Sequence, residues 1–249
     1  MLTFIAEPRS GSNIEWRAYG KLDYGASHDL AAGVAEWSLL RKHLEQYGFS
    51  GTSVCLEIGC GGGRLTNALA QHFATVHALD VSSDRLLQAG KVPNAHKVSF
   101  HLVDTPCVPL DTGTCELCVS THVLQHLADM SVVEAYFREM YRVLKPGGCL
   151  LVHMPMIGAH GMTGELSEVW RRRCKDSMKA IVLAISRTLM RIGFDRLPWK
   201  VDHYSVFSFV KIEAFLQGLG FADIERRILP WAGGHSYVLA RKIEGSYPH

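Results

Sequence analysis

The stretch VCLEIGCGGGRLT, residues 54–66, constrains the fold more than any other part of the chain. An apolar run leads into Glu57, four glycines fall among the next five residues from 59 to 63, and a helix-like pattern follows. A chain concentrates glycine in this way only where its backbone turns tightly or lies against a ligand. A buried strand, a glycine loop and a helix in this order predict an α/β sheet with a nucleotide-like ligand at its carboxyl edge.

The rest of the chain continues the alternation of strands and helices. Helices are predicted at 29–47, 63–73, 82–92 and 131–144, the last ended by KPGG, and at 207–220. The predicted strands are SVCLEI, ATVHALD, KVSFHLVD, CELCVST and CLLVHMP, followed by FADIERRILP and GHSYVLARK. The first five are short apolar runs typical of parallel strands covered on both faces. The last two are joined by WAGG, which predicts antiparallel pairing.

Length and composition predict one domain. The 249 residues fit a single α/β domain over 1–249, with an N-terminal helical segment at 1–48 and a helical lid inserted at 157–204. A net charge of +2 is too small to indicate a nucleic-acid partner. The absence of a long apolar run and of a basic leader predicts a cytoplasmic protein with no transmembrane segment. Cys115 and Cys118 lie in an apolar run, where we expect small buried side chains and no metal.

The spacing of the glycine loop separates three kinds of ligand site. A dinucleotide loop of the form G-x-G-x-x-G fails because Arg64 occupies the third glycine position, and the Gly-Lys-Ser/Thr of a P-loop is absent. The spacing E-x-G-x-G-x-G is present as Glu57, Gly59, Gly61 and Gly63. An acid at this point would repel a pyrophosphate, but it suits a ligand that carries positive charge there. S-adenosylmethionine, with its ammonium and sulfonium groups, is such a ligand.

A second acid supports the same ligand. Asp80 ends the second predicted strand, 21 residues after Gly59, where an acid can accept hydrogen bonds from both ribose hydroxyls. With these residues the sequence resembles the class I S-adenosylmethionine-dependent methyltransferases, in the small-molecule group of methyltransferase types 11 and 12. The resemblance covers residues 50–155 well and 205–242 loosely. It is carried by LEIGCGGGRLT, ALDVSSDRL, VDT, STHVLQHL and VLKPGGCLLV.

The resemblance implies a fold and a cofactor site. The fold would be a Rossmann-like, mostly parallel sheet of seven strands in the order 3-2-1-4-5-7-6, with strand seven antiparallel and helices on both faces. The cofactor would be S-adenosyl-L-methionine. Asp104, at the end of strand three, would bind the adenine amino group, with Thr105 beside it, and Thr121 would lie near the methionine part. The implied cofactor residues are Glu57, Gly59, Gly61, Gly63, Asp80, Asp104, Thr105 and Thr121.

The methyl acceptor is less constrained. The region after strand four lacks the D/N-P-P-Y/F motif of base-amino methyltransferases and the paired glutamates of protein arginine methyltransferases. We therefore expect an enzyme of the class EC 2.1.1.- that methylates oxygen, nitrogen or carbon of a small molecule. The apolar and basic residues of the insert fit a partly apolar acceptor with an acidic group, and equally a solvated helix or a homodimer face. The alternative is a non-catalytic methyltransferase-like binding or regulatory module.

Three histidines are candidates for a catalytic base. His153 follows strand five, His203 precedes the last helix and His122 follows strand four. Histidine suits proton removal because its pKa lies near neutrality. Methyl transfer from a sulfonium can also proceed by positioning alone, so a site without a base remains an open alternative.

Overall fold

The computed structural model describes residues 30–48, 53–127, 129–157, 205–228 and 236–243. Several sequence predictions fall outside these residues: the segment before residue 30, nearly all of the proposed lid at 157–204, His203 and the WAGG turn. They remain predictions.

The described chain alternates strands and helices as expected. Its helices are α1 (Leu30–Leu44), α2 (Arg64–His72), α3 (Ser83–Ala89), α4 (Met130–Val143) and α5 (Phe209–Leu219). Its strands are β1 (Val54–Ile58), β2 (Thr75–Asp80), β3 (Val98–Leu102), β4 (Cys115–Ser120), β5 (Leu144–Met154), β6 (Met156–Ile157), β7 (Phe207–Ser208), β8 (Phe221–Ile228) and β9 (Ser236–Lys242).

Seven strands form the central sheet in the order β3-β2-β1-β4-β5-β9-β8. Counted within this sheet alone, the order is 3-2-1-4-5-7-6, which confirms the predicted Rossmann-like topology. Strand β9 runs antiparallel to both β5 and β8, and the other neighbouring pairs are parallel. All the parallel strands therefore end at one edge of the sheet, where ligands bind in folds of this kind.

A short pair of strands was not predicted. Strands β6 and β7 pair in parallel, with Met156 opposite Phe207. The amide of Phe207 also donates to the carbonyl of Pro155 at 2.9 Å, and the amide of Ser205 donates to the carbonyl of Gln125 at 2.8 Å. The chain at 205–208 is thus held against the carboxyl ends of β4 and β5.

Local signals explain how the helices begin and end. The Ser82 hydroxyl accepts a hydrogen bond from the amide of Arg85 and caps α3. Asp129 caps α4 by accepting from the amide of Ser131 at 2.9 Å. At the other end of α4, the Lys242 ammonium of β9 donates to the carbonyls of Tyr141 and Leu144 at 2.8 and 2.7 Å. A cation at a helix C-terminus satisfies carbonyls that have no partner within the helix.

Two predicted boundaries are wrong. The KPGG segment was expected to separate α4 from strand five, but β5 already begins at Leu144, because Leu144 pairs with Cys115 of β4. Lys145, now within β5, forms an ion pair with Glu116 at 2.6 Å. Strand β3 ends at Leu102, so Asp104 lies in the loop after the strand and does not end it.

The core lies in layers on both faces of the sheet. One cluster joins the sheet to α4 and α5, and a second joins it to α1 and α2. Cys115 and Cys118 are fully buried in the first cluster, and the cysteines of the described residues are free thiols. Within the same residues, no group of three or more His, Cys, Asp or Glu side chains could hold a metal ion. None of the described helices is long and apolar enough to cross a membrane.

Two histidines at the edge of the sheet, the half-buried His77 and the buried His101, predict acid sensitivity. His77 and His101 face each other with Nδ1 and Nε2 3.1 Å apart, and burial lowers the pKa of His101 to about 4, assisted by His77. Since this folded-state pKa lies below the usual value of 6.5, stability is complete above about pH 6.5 and falls as the pH drops toward 4. We expect His101→Gln to remove about 3 kcal/mol of this pH dependence.

Urea unfolding at pH 7.5 and at pH 4.5 would measure most of the effect, because the difference builds up between about pH 6.5 and 4. His96→Gln is the matched control, since His96 is exposed. An unchanged loss of stability on acidification in His101→Gln would contradict the prediction.

Candidate functional site

The glycine loop between β1 and α2 is bound tightly to the end of β2. The amides of Gly59 and Cys60 both donate to the carbonyl of Leu79, at 2.7 and 2.9 Å. Gly59 has a φ of 77°, and a Cβ there would lie 2.0 Å from the side chain of Val123. Only glycine fits this position, both for its backbone conformation and for the close approach.

Asp80 ends β2 and holds the loop through its carboxylate. One oxygen accepts from the amide of Gly61 at 2.8 Å, and the other accepts from the amide of Ser82 at 3.0 Å. The side chain is mostly buried, and burial raises its pKa while these bonds and nearby Arg85 oppose the rise. Each carboxylate oxygen has two lone pairs, so Asp80 retains the capacity to accept from a diol.

Glu57, predicted from the loop spacing, is a buried acid beneath the loop. Only 2% of it is exposed, and its Oε2 accepts a hydrogen bond from the Thr66 hydroxyl at 2.6 Å. Burial raises the pKa of Glu57 to about 7, although the Thr66 bond and the charge of Arg64 act in the opposite direction. The carboxyl therefore titrates near neutral pH, and a cation placed beside it would favour its ionised form.

The other predicted cofactor residues lie at the same edge of the sheet. The amide of Val103 donates to the carbonyl of Asp80 at 3.1 Å, which fixes the start of the loop that carries Asp104 and Thr105. Asp104 is half-buried and Thr105 is exposed. Thr121 follows β4 directly and is buried.

Two of the three candidate histidines come together. His122 has a φ of 60°, unusual for a residue other than glycine, and its amide lies 3.3 Å from the Nδ1 of His153, to which it donates. The two rings have centroids 4.3 Å apart. His153 is fully buried and also packs on Tyr237, with centroids 4.8 Å apart, whereas half of the His122 side chain is exposed. We call His122 and His153 the histidine pair.

Sequence reasoning missed the residues that surround this pair. Glu36 of α1 forms an ion pair with Arg64, accepts a hydrogen bond from the Tyr237 hydroxyl at 3.1 Å and lies 3.9 Å from the Nε2 of His122. A signal for Glu36 does exist in the sequence. It shares the inner face of α1 with Gly33, Trp37, Leu40 and Leu44, and an acid on an apolar helix face needs a partner. Tyr237 gives no such signal within the apolar pattern of β9.

Comparison with known proteins agrees with this geometry. Residues 56–152 match the protein family described as a methyltransferase domain. A protein of Geobacillus sp. (strain WCH70), named only as a candidate methyltransferase, is 31% identical over 135 residues, which are 53% of this chain and 53% of that protein.

Two further relatives carry more specific names. The malonyl-[acyl-carrier protein] O-methyltransferase of Salmonella typhimurium is 31% identical over 116 residues, 47% of this chain and 43% of that protein. The tRNA (carboxymethyluridine(34)-5-O)-methyltransferase ALKBH8 of Macaca fascicularis is 26% identical over 102 residues, 41% of this chain and 14% of that protein. The chain thus spans about half or less of the length of these relatives.

Solved structures share the fold. Phosphoethanolamine N-methyltransferase 2 of Haemonchus contortus, in complex with phosphomonomethylethanolamine and S-adenosylhomocysteine, superposes with a TM-score of 0.54 at 18% identity, over 84% of this chain and 53% of that chain. At this identity the likeness concerns the fold alone.

The sheet order, the acids at the glycine loop and the family match together define the class. Residues 56–152 match the methyltransferase domain family, and together with the relatives and the sheet order they support a class I S-adenosylmethionine-dependent methyltransferase. Its cofactor is S-adenosylmethionine, as the loop spacing predicted.

The raised pKa of Glu57 predicts how stability depends on pH without the cofactor. Because the folded-state pKa is raised from 4.5 to about 7, stability is complete below about pH 4.5 and declines as the pH rises through 7. Glu57→Gln keeps an acceptor for Thr66 and removes the titration. We expect the change in free energy of unfolding caused by this substitution, in the cofactor-free protein, to be about 3 kcal/mol more favourable at alkaline pH than at acidic pH.

Urea unfolding at pH 5 and pH 9 would check this expectation, since these values lie on either side of the Glu57 pKa of about 7. Glu45→Gln, an exposed change of the same charge, is the control. Equal effects of Glu57→Gln at the two pH values would show that the buried carboxyl is not the source.

Proposed function

We propose that the chain transfers the methyl group of S-adenosylmethionine to a small-molecule acceptor. The observation that carries the proposal is the pair of buried acids at the glycine loop: Asp80, bonded to the amide of Gly61, and Glu57, whose pKa is raised to about 7. Two buried carboxyls at one loop suit a ligand with hydroxyl donors and positive charge, and they oppose a phosphate.

The residues at the loop fit the parts of this cofactor. We assign the ribose hydroxyls to Asp80, the adenine amino group to Asp104 with Thr105 beside it, and the neighbourhood of the methionine part to Glu57 and Thr121. The glycines Gly59, Gly61 and Gly63 would allow the backbone to approach the cofactor closely. When bound, the cofactor supplies an electrophilic methyl group on a sulfonium.

A small molecule is the acceptor that the site supports best. The chain after β4 reads THVLQHL, without the Pro-Pro motif that grips a base amino group, and the net charge of +2 is weak for a nucleic-acid partner. The relative named as a tRNA methyltransferase makes tRNA the competing acceptor in the test.

Within the histidine pair, the geometry supports His122 as the group that removes a proton from the acceptor. Half of its side chain is exposed, at the end of β4 and next to Thr121. His153 is fully buried and its Nδ1 already accepts the amide of His122, which suits a supporting role. His203 lies outside the described residues and stays a candidate.

Substitution of Asp80 tests the cofactor assignment. Asp80→Ala removes up to two hydrogen bonds to a charged acceptor, each worth roughly 1.5–3 kcal/mol, so we expect affinity for S-adenosylhomocysteine to fall by about 100-fold or more. Calorimetric titration would measure the affinity. Asp84→Ala is the matched control because Asp84 is an exposed acid of the neighbouring helix α3. Binding by Asp80→Ala within threefold of the wild type would refute the assignment, as would tight binding of NAD.

The acceptor itself requires a turnover assay. Release of S-adenosylhomocysteine would be measured with panels of hydroxyl, amine and carboxyl compounds, with tRNA and with unmodified peptides. Turnover with a small molecule is expected. Turnover with tRNA alone would replace the proposal by a nucleic-acid methyltransferase. Cofactor binding without turnover on any panel would favour the non-catalytic binding or regulatory module.

A further inference from the structure

Glu36 connects more elements of the site than any residue predicted from sequence. Its carboxylate meets Arg64 at the start of α2, the Tyr237 hydroxyl of β9 and the Nε2 of His122 after β4. The residue itself belongs to α1, and only 8% of it is exposed. A buried carboxylate requires partners of this kind, because burial without them is costly.

The position of Glu36 is fixed by close packing of its helix. Gly33, one turn before it, lies so near α2 that a Cβ would be 2.0 Å from the carbonyl oxygen of Arg64. One turn further along, Leu40 is fully buried in the cluster that joins α1 to α2 and the sheet. The backbone of α1 at Glu36 is therefore held close to the start of α2.

Tyr237 contacts both Glu36 and the histidine pair. Burial and the nearby Glu36 raise the pKa of Tyr237 well above its usual range, so the phenol keeps its proton and donates a hydrogen bond to Glu36. The Tyr237 ring packs against His153, which in turn packs against His122. The amide of His122 donates to the Nδ1 of His153, so the proton of His153 resides on Nε2.

We propose that Glu36 is the positioning residue of the histidine pair: it fixes His153 through Tyr237, and its charge stabilises the protonated form of His122. The inference rests on the proposed function, in which His122 receives the proton of the acceptor. In that step the acceptor's O–H or N–H bond breaks, the proton goes to His122 and the methyl group bonds to the acceptor atom. The cofactor would supply the methyl group by cleavage of its sulfur–methyl bond, and His122 would then hold the positive charge as an imidazolium opposite Glu36.

The charges around His122 act in known directions. Burial lowers the pKa of His122, the negative charge of Glu36 raises it, and the positive charge of Arg64 lowers it. Glu57 faces Glu36 from β1, and His153 and Tyr237 complete the titratable groups of the cluster. If Glu36 were merely structural, removing the charge of Glu36 and removing the charge of Arg64 would not shift the pKa of His122 in opposite directions.

The experiment is a titration of His122 by NMR in cofactor-free protein labelled at histidine, with the signal assigned by His122→Asn. We expect Glu36→Gln to lower the pKa of His122 by about one unit, since an opposite charge at this distance is lost. We expect Arg64→Met to raise the same pKa by about one unit, because Glu36 then acts on His122 without its main counterion. Glu45→Gln, at an exposed position just after α1, should leave the pKa unchanged.

The outcomes separate this inference from the proposed function. A pKa of His122 that does not fall in folded Glu36→Gln overturns the role of Glu36. If Glu36→Gln does not fold, Arg64→Met decides, and an unchanged or lowered pKa of His122 in it overturns the role. Binding of S-adenosylhomocysteine by the wild type is measured in parallel. If the wild type does not bind S-adenosylhomocysteine, the proposed function is contradicted, but the measured pKa of His122 still tests the role of Glu36.

Discussion

The structure of the site depends on the hydrogen bonds that Asp80 accepts from the backbone amides of Gly61 and Ser82. They join the glycine loop after β1 to the end of β2, and the amides of Gly59 and Cys60 add two further bonds to the same strand. The loop is therefore held in its conformation before any ligand arrives. Preorganisation of this kind reduces the ordering that a ligand must otherwise bring about on binding.

The same arrangement concentrates negative charge. Asp80 and Glu36 both lie within the electrostatic reach of Glu57, and burial is the main cause of the raised pKa of Asp80 and Glu57. Arg64 and Arg85 are the cations that offset them in the described part of the site. A ligand that carries positive charge gains from this field, and a ligand that carries phosphate loses. The electrostatics thus favour the cofactor of the family independently of the sequence match.

The sequence predicted the sheet and the loop because their signals are local. Apolar runs of strand length, the spacing from Glu57 to Gly63 and an acid at the end of β2 are each read within a few residues, and the observed strand order agrees. Boundaries failed where a tertiary contact decides. Leu144 belongs to β5 because it pairs with Cys115 of β4, and the sequence around KPGG does not predict that pairing. Likewise, the contact of Glu36 with Tyr237 spans 201 residues and has no local signature.

The division between predicted and unpredicted residues follows the extent of the family match. His122 lies within residues 56–152, whereas Glu36 and Tyr237 lie on either side of that range. The matched region supplies the glycine loop and the turn after β4. The helix before it and the strand after it supply the carboxylate and phenol around the histidine pair. Glu36 lies 3.9 Å from the Nε2 of the half-exposed His122, so part of the surroundings of the histidine pair comes from elements outside the family match.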